Sequence, residues 1–297
     1  MASRGVRVPV NPSISETAAH SRPPTHRVIL AAVLCVWIPS VGTAQGRQGA
    51  APVTAKASAP IDLTGYWSAV LTEDWHVRML TAAKGDFGGG PPGEVAQVGT
   101  ARLGVGANPA RDGNIPYNLK GAQAAMTWDA AKDEAAGQQC KAYGAPGIMR
   151  QPTHLHISWA DDNTLKVEAD FGTQVRLLHF APPPQPPAQT LQGHSLAGWI
   201  SMGGGGGQAN FQKGGVLRAV TTHLTPGYYW KNGMPYSANA VLKENFFLLD
   251  VPDGSRWLTV TQQVDDPDYL TGPYVVNYHF KKLPDGSQWK PTPCVVR

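Results

Sequence analysis

Residues 154–169, His-Leu-His-Ile-Ser-Trp-Ala-Asp-Asp-Asn-Thr-Leu-Lys-Val-Glu-Ala, decide the fold. Two strand-like segments, 154–159 and 165–169, flank Asp161-Asp162-Asn163, whose short polar side chains favour a tight turn. The stretch therefore predicts a β-hairpin, and the chain around it is expected to continue as a sheet.

Strand-like segments extend along the rest of the chain, separated by turns and breaks such as the proline-rich residues 182–187. They cover residues 66–71, 75–80, 173–180, 196–201, 216–224, 238–249, 257–264 and 274–283. Only residues 119–136, rich in Ala and Lys, predict a helix, which Gly137 would end. About ten strands against one helix favour an all-β fold, a single antiparallel β-barrel with long Gly/Pro-rich loops; a β-sandwich is the alternative.

The first predicted strand opens with Gly65-Tyr66-Trp67. This Gly-x-Trp resembles the first strand of lipocalins and related calycin barrels. The resemblance implies that Trp67 plugs one end of the barrel beneath a ligand cavity. An ordinary buried tryptophan on a first strand is the alternative.

A second resemblance spans roughly residues 62–294. Its blocks are Thr72-Glu73-Asp74-Trp75, Lys132-Asp133-Glu134-Ala135-Ala136-Gly137, Cys140-Lys141-Ala142-Tyr143-Gly144, Arg176-Leu177-Leu178-His179-Phe180, Lys231-Asn232-Gly233, Pro235-Tyr236-Ser237-Ala238-Asn239 and Pro291-Thr292-Pro293-Cys294. The chain is similar in these blocks to a family of secreted bacterial proteins without an assigned activity. The resemblance implies export and a single domain, and it transfers no catalytic residue.

An apolar run over residues 28–41 follows His26-Arg27 and ends in Gly42-Thr43-Ala44. A basic start, a short apolar run and small residues are typical of a secretory signal peptide. A membrane span needs about 20 apolar residues, so no stable membrane anchor is expected. We predict a signal peptide over residues 1–44, cut near Ala44, a flexible linker over 45–60 and a barrel domain over 61–297, located in the periplasm or secreted.

Export changes the charge of the mature chain. Loss of the leader lowers the formal net charge from +4 to about +1, because four arginines and one glutamate leave with it. The basic balance is then no argument for binding nucleic acid, and no nucleic-acid partner is predicted. The sequence gives no oligomeric state.

Export also decides which cysteines remain. Cys35 leaves with the leader, whereas Cys140 and Cys294 stay in an oxidising compartment, where a disulfide is favoured. Two free thiols or two metal ligands are the alternatives. The crosslink would close a loop of about 155 residues and stabilise the fold by roughly 4–5 kcal/mol through loop entropy.

Histidines fall mainly in strand-like segments. His154 and His156 share one face of their strand, because side chains on one face recur every second residue. Neutral imidazoles suit zinc, copper or iron, so these two are the candidate ligands of a transition metal; otherwise no cofactor is predicted. His179, His223 and His279 could add ligands or act as general bases. Solvent-facing or hydrogen-bonded histidines without a metal are the alternative.

Asp74, His76 and Arg78 form a second candidate group for catalysis. On a strand over residues 75–80 they share one face and alternate with apolar neighbours. Inside a barrel this polar stripe could work as an acid/base set. The alternative is the solvent-facing side of a half-buried strand.

Aromatic side chains are concentrated in the strands and their turns. A cavity lined by such groups with a few polar anchors suits an apolar or aromatic small molecule. The predicted ligand-binding residues are Trp67, Trp75, Tyr228, Trp230 and Tyr236. The sequence therefore favours a secreted barrel that binds a small molecule. An enzyme using inward His, Asp or Arg residues, or a structural envelope protein, are the alternatives.

Overall fold

Eleven strands and three short α-helices are present in the computed structural model, which describes residues 53–71, 115–185, 187–202 and 214–296. The strands are β1 (Gly65–Ala69), β2 (His154–Asp161), β3 (Thr164–Ala169), β4 (Gln174–His179), β5 (His194–Met202), β6 (Gly214–Thr222), β7 (Gly227–Trp230), β8 (Met234–Tyr236), β9 (Val241–Asp250), β10 (Arg256–Asp265) and β11 (Tyr274–Lys282). The helices are α1 (Leu119–Met126), α2 (Ala130–Ala135) and α3 (Ala145–Ile148), with a 3-10 helix at Lys141–Tyr143.

Nine of the strands close into a barrel in the order β1-β11-β10-β9-β6-β5-β4-β3-β2, which confirms the predicted all-β barrel. Neighbours are antiparallel except β4 and β5, which run parallel. A closed ring of nine strands requires such an exception, because strand direction cannot alternate around an odd number. Parallel neighbours need a long connection, and the proline-rich stretch that follows β4 lies in it.

The hairpin predicted from residues 154–169 is confirmed. Ile157 pairs with Val167 and Leu155 with Ala169, and the turn is held by the Asn163 N–H, which donates to Asp161 Oδ1 at 2.7 Å. Alternate side chains of these strands face the core. Around the barrel, the inward side chains that are 3 % exposed or less include Trp67, Leu155, Ile157, Leu165, Val167, Leu178, Leu217, Phe246, Leu258, Val260, Tyr278 and Phe280.

The single helix predicted over residues 119–136 is wrong in extent, since the segment forms α1 and α2 with a break between them. Asn118 caps α1 by accepting from the Gly121 N–H, and Asp129 starts α2 by accepting from the Ala131 N–H at 3.0 Å. Alanine and lysine favour helix throughout the segment, but an aspartate prefers an N-cap, where its carboxylate satisfies free N–H groups.

The two barrel ends differ. The "helical end" carries the β1–β2 connection with the helices, and the β6–β9 connection with the β7–β8 ribbon. The "hairpin end" carries the β2–β3 and β9–β10 turns. The β7–β8 ribbon lies outside the strands that the sequence predicts.

Residues before β1 pack against the hairpin end. The Ala55 N–H donates to Asn163 Oδ1 at 2.9 Å, and Trp199 Nε1 donates to the Ala55 carbonyl at 2.8 Å. Residues 53–60, assigned to the linker from sequence, therefore contact the barrel. Trp67 Nε1 donates to the Leu63 carbonyl at 2.9 Å, and the Lys282 ammonium lies 4.3 Å from the centre of the Trp67 ring.

The predicted disulfide is confirmed: Cys140 and Cys294 are bonded, with their Cα atoms 5.1 Å apart. It joins the start of the 3-10 helix to the C-terminal segment. The predicted signal peptide and the predicted strand over 75–80 lie outside the described residues. Within the described ranges, no helix has the length and apolarity needed to cross a membrane.

Candidate functional site: a buried polar belt inside the barrel

Among the described residues, five polar side chains enter the barrel interior, one from each of the consecutive strands β4, β5, β6, β9 and β10. This polar belt consists of Arg176, Ser195, Thr221, Glu244 and Gln262. Each member is at most 2 % exposed. All lie in the half of their strand nearer the helical end, so the belt forms one ring segment beneath the helices.

An ion pair holds the belt together. Arg176 binds Glu244 with two parallel bonds, Nη1 to Oε1 at 3.0 Å and Nη2 to Oε2 at 2.5 Å. Gln262 Nε2 donates to Glu244 Oε1 at 2.8 Å and lies 3.3 Å from the Ala145 carbonyl at the start of α3. Taking two charges out of water costs several kcal/mol per ion, and such close bidentate geometry is needed to offset that cost.

Two hydroxyls extend the belt. Arg176 Nη2 lies 3.4 Å from Thr221 Oγ1, which shares a hydrogen bond of 2.7 Å with Ser195 Oγ. The connected chain of donors and acceptors runs across five strands. It fixes the orientation of the guanidinium and the carboxylate in a region of low dielectric constant.

The inward position of Arg176 reverses the usual pattern of its strand. Its neighbours Val175 and Leu177 face outward and are 49 % and 42 % exposed, while Arg176 is buried. A strand that exposes two apolar side chains in order to bury a charge indicates that the charge has a role inside the barrel.

Three polar atoms around the belt have no hydrogen-bond partner among the described residues: Arg176 Nε, Gln262 Oε1 and Tyr236 Oη. Burial raises the pKa of Tyr236 well above its usual value, and the charge of Arg176 opposes this shift. The hydroxyl has little space, because a Cβ on Gly144 or Gly227 would lie 2.1 Å or 2.4 Å from Tyr236 Oη. Buried polar groups are normally paired, so these atoms indicate an additional partner in the interior.

Aromatic rings surround the belt at the helical end. The Tyr229 ring lies 5.4 Å from the Tyr236 ring and 5.3 Å from the Tyr274 ring. Tyr229 Oη also lacks a partner in the part of the chain that the structure describes. Burial raises the pKa values of Tyr229 and Tyr274, so both phenols are neutral donors near pH 7.

Small side chains occupy inward positions on both sides of the belt, Ala197 and Ala219 toward the hairpin end and Ala69 and Ala169 at the helical end. Ala69, Ala169, Ala197 and Ala219 are packed in or against the core on four different strands. Barrels of about eight strands are just wide enough to be filled by side chains or to hold one small ligand. A ninth strand widens the barrel, and alanines leave more of that width unfilled than leucines would.

A second group of aromatic rings lies at the hairpin end. The rings of Trp159, Phe180 and Trp199 are half-buried and mutually close, with Phe180 5.7 Å from Trp159 and 5.5 Å from Trp199. They are not among the ligand-binding residues predicted from the sequence. Their place at the barrel end makes them candidates to contact an aromatic or apolar molecule there.

The predicted ligand-binding residues are distributed over the molecule. Trp67 and Tyr236 are fully buried, and Trp230 is nearly so. Tyr228 instead ties the ribbon to α2, because its hydroxyl donates to Asp133 Oδ2 at 2.8 Å. Trp75 lies outside the described residues. Of this set, Tyr236 is the residue that the structure places beside the polar belt.

His154 and His156 share the outer face of β2, opposite the buried Leu155 and Ile157. Each ring is engaged by its own carboxylate: His154 Nδ1 lies 2.7 Å from Asp170 Oδ2, and His156 Nδ1 lies 2.9 Å from Glu168 Oε2. No cluster of three or more His, Cys, Asp or Glu side chains suited to a metal occurs in the described ranges. The metal site stays a prediction.

The other histidine candidates also lie away from the interior. The His179 ring stacks on the His194 ring at 5.1 Å, on the outer face of β4 and β5, and His223 is exposed after β6. Burial, followed by the charges of His179 and His223, lowers the pKa of His194. His279 lies on the outer face of β11, its ring 6.2 Å from that of Trp257. The candidates Asp74, His76 and Arg78 lie outside the described residues.

The described chain is thus a closed nine-stranded barrel with a buried, charged interior site. No protein-family model, curated protein or solved structure matches it.

Proposed function

We propose that the protein binds a small molecule with an apolar or aromatic body inside the barrel, with a polar group anchored at the polar belt. The observation that carries the proposal is the set of unpaired atoms Arg176 Nε, Gln262 Oε1 and Tyr236 Oη. Two of these groups donate and one accepts, so a hydroxyl, amide or carboxylic acid could satisfy them. The apolar walls and inward alanines would accept the rest of the ligand.

We also propose that the protein works after export, in the periplasm or outside the cell. The apolar run over residues 28–41 supports this, and the Cys140–Cys294 disulfide is compatible with an oxidising compartment. The Gly65-Tyr66-Trp67 resemblance to calycin barrels also supports binding of a small ligand within the barrel.

Native mass spectrometry of protein purified from its own periplasm tests the proposal directly, since a bound ligand adds mass. A titration with the apolar probe N-phenyl-1-naphthylamine, followed by tryptophan quenching, tests for binding capacity. We expect saturable binding, which Ala219→Leu abolishes by filling the interior, while Arg218→Ala on the outer face of the same strand leaves it unchanged. If the wild type shows neither ligand nor probe binding, the barrel is a filled core and the proposal is wrong.

The role of Tyr236, beside the belt, as an anchor for the ligand has a separate test. Tyr236→Phe removes an unpaired hydroxyl, so we expect no loss of stability but about ten-fold weaker binding of the native ligand, the effect of one hydrogen bond. Tyr143→Phe is the matched control: its hydroxyl donates to the Val295 carbonyl at 3.2 Å. That variant is expected to lose about 1 kcal/mol of stability and no affinity. Equal affinity of Tyr236→Phe and wild type contradicts the anchor.

A second candidate function is hydrolysis of small esters on the outer face of the barrel. The observation behind it is a row of Ser68 on β1, His154 on β2 and Asp170 directly after β3. Asp170 Oδ1 accepts from Thr153 Oγ1 and the His154 N–H, and Oδ2 accepts from the Lys290 N–H, so the carboxylate beside His154 Nδ1 is fixed. Ser68 lies across from His154 on the other side.

In this reaction Ser68 Oγ would attack the ester carbonyl, and its proton would pass through His154 to the leaving alcohol. Water would then hydrolyse the acyl-serine and restore both groups. A fluorophosphonate probe is expected to label Ser68 covalently in the wild type and Ser158→Ala, and not in Ser68→Ala or His154→Ala. An unlabelled wild type excludes this activity.

A further inference from the structure

The contact between β4 and β5 is the shortest one between neighbouring strands of the described ring. Two residue pairs, Leu178–Ser195 and His179–Leu196, are in register there, whereas β9 and β10 share ten. The contact is also parallel, a pairing slightly less stable per residue than an antiparallel one. This contact, the β4–β5 seam, is therefore the place where the fewest strand pairs hold the described barrel closed.

A histidine lies on each side of the seam. His179 ends β4 and His194 begins β5, and their rings are stacked with centroids 5.1 Å apart and an interplanar angle of 12°. The Nε2 atom of His194 is buried and has no hydrogen-bond partner in the described part of the chain. Two neutral imidazoles can stack in this way, whereas two imidazolium ions at this distance repel each other.

The groups around His194 are cationic when charged. Burial first, and then the charges of His179 and His223, lower the pKa of His194. His223 directly follows Thr222, the register partner of His194 on β6, and exposed Arg218 lies farther along the same face. None of the ion pairs between described residues includes His194. A proton on His194 therefore meets positive charge and no paired carboxylate.

The charged groups on the other side of the seam offset little of this repulsion. Asp161 at the end of β2 is exposed, and its pKa is lowered mainly by hydrogen bonds with the next residues of the chain and also by His179. Lys166 on β3 is paired with Glu168 at 3.1 Å. Residues 181–193, which connect β4 to β5, contain no charged or titratable side chain. An exposed carboxylate is well solvated and contributes little against two charges in direct ring contact.

The seam also borders the polar belt. Arg176 on β4 and Ser195 on β5 are joined through Thr221, since Arg176 Nη2 lies 3.4 Å from Thr221 Oγ1 and that oxygen shares a hydrogen bond of 2.7 Å with Ser195 Oγ. Separation of β4 from β5 would draw Arg176 away from both hydroxyls. It would also connect the barrel interior with solvent beside the belt.

We infer that protonation of the His179–His194 pair opens the β4–β5 seam and releases the molecule bound in the barrel. The release step rests on the proposed binding in the barrel interior. Opening of the seam needs no ligand, so it can be measured independently of that binding.

Hydrogen–deuterium exchange mapped by peptide mass spectrometry tests the opening on the full chain with its disulfide intact. Protection factors, which are corrected for the intrinsic pH dependence of exchange, are compared at about pH 7.5 and about pH 5, on either side of the ordinary histidine pKa. We expect peptides of β4 and β5 to lose protection at least about ten-fold at the lower pH, while peptides of β9 and β10 keep theirs. His194→Gln and His179→Gln should abolish the loss. His279→Gln, on the long β10–β11 contact, should retain it.

Stopped-flow release of the uncharged probe N-phenyl-1-naphthylamine measures the consequence for binding. Release should be about ten-fold faster at the lower pH in the wild type and in His279→Gln, and independent of pH in His194→Gln. Salt at about 1 M shortens the Debye length to about 3 Å and should suppress the acid effect in the wild type. This arm of the experiment needs no variant and decides the case where a variant does not fold.

Equal protection of the seam at both pH values overturns the inference. Equal loss of protection throughout the barrel also overturns it, because the protein would then unfold in acid as a whole. Seam opening that persists in His194→Gln assigns the effect to other groups, and seam opening without faster release of the probe overturns the link to the ligand. Absence of probe binding at either pH overturns the proposed function, while the exchange data still decide whether the seam opens.

Discussion

Arg176→Met leaves the carboxylate of Glu244 buried without its cation, and the structure gives the size of the effect. Glu244 loses the bonds of 2.5 Å and 3.0 Å from Arg176 and keeps the one of 2.8 Å from Gln262. Removal of one partner from a buried pair costs about 3–5 kcal/mol. In a domain of this size 1 kcal/mol shifts the Tm by about 2–4 °C, so we expect a drop of about 6–20 °C.

Two further variants test whether the unpaired buried charge causes the loss of stability. Arg256 and Asp250 form a similar pair with bonds of 2.6 Å and 3.1 Å, but their side chains are 48 % and 50 % exposed. Arg256→Met should therefore cost about 0–1 kcal/mol. The double variant Arg176→Met/Glu244→Leu removes both charges and should recover most of the stability lost in the single variant.

The assay is equilibrium unfolding in urea at pH 7 with the disulfide intact. If Arg176→Met lowers the free energy of unfolding no more than Arg256→Met does, the buried charge of Glu244 does not have the predicted effect. If the double variant is as unstable as Arg176→Met, the loss of stability comes from packing and not from the unpaired charge.

Three further predictions concern stability. Cys140→Ser should lower the free energy of unfolding by about 5 kcal/mol, since the crosslink spans a sequence separation of 154 residues. In urea unfolding, the variant and the reduced wild type should have the same free energy of unfolding. A loss below about 1 kcal/mol contradicts this prediction. Gly233→Ala should be strongly destabilising because its Cβ would meet the Trp128 ring at 1.9 Å. Gly137 also has a positive φ, but a Cβ there would have no atom within 4 Å, so Gly137→Ala should lower the free energy of unfolding by only about 1–2 kcal/mol. Similar Tm values for the two variants would show that the contact with Trp128 is irrelevant. The pKa of His194 is lowered from 6.5 by burial and by His179 and His223, so the unfolded chain binds more protons. The contribution of neutral His194 to the free energy of unfolding is therefore fully present above pH 6.5, and it is lost as the pH falls through the pKa of the folded state. His194→Gln should flatten this part of the stability profile, and an unchanged slope would count against the assignment.

Local patterns in the sequence were sufficient for much of the sheet. The alternation in residues 154–169 and the turn at Asp161-Asp162-Asn163 predicted the β2–β3 hairpin, which the structure confirms. A hairpin and its turn depend on residues that are close in sequence, so a local sequence pattern is sufficient to predict them. The disulfide followed from the sequence for a different reason, since only two cysteines follow the apolar run.

Other features depended on contacts between distant residues. Helix propensity over residues 119–136 gave one helix, but the N-cap at Asp129 and the contact of Trp128 Nε1 with Asp133 at 2.9 Å divide it. Tyr228 and Trp230 lie in a strand because they pair with Pro235 and Met234 of β8, a pairing that the local pattern does not show.

The polar belt could not be derived from the sequence. In β4, alternation allows either the face with Val175 and Leu177 or the face with Arg176 to point inward, and hydrophobicity favours the wrong one. Arg176 faces the core because Glu244, far away in the chain, provides the opposite charge at hydrogen-bond distance once the barrel closes.

The sequence by itself determined a chain of strands, the residues of the crosslink and the expectation of export, because strand patterns, cysteine counts and leader composition are local or compositional properties. Only the tertiary structure decided the number of strands in the closed ring, the parallel β4–β5 pair and the set of unpaired atoms around Arg176. Ring closure and the inward face of each strand are set by the free energy of the whole barrel, to which residues far apart in the chain contribute together.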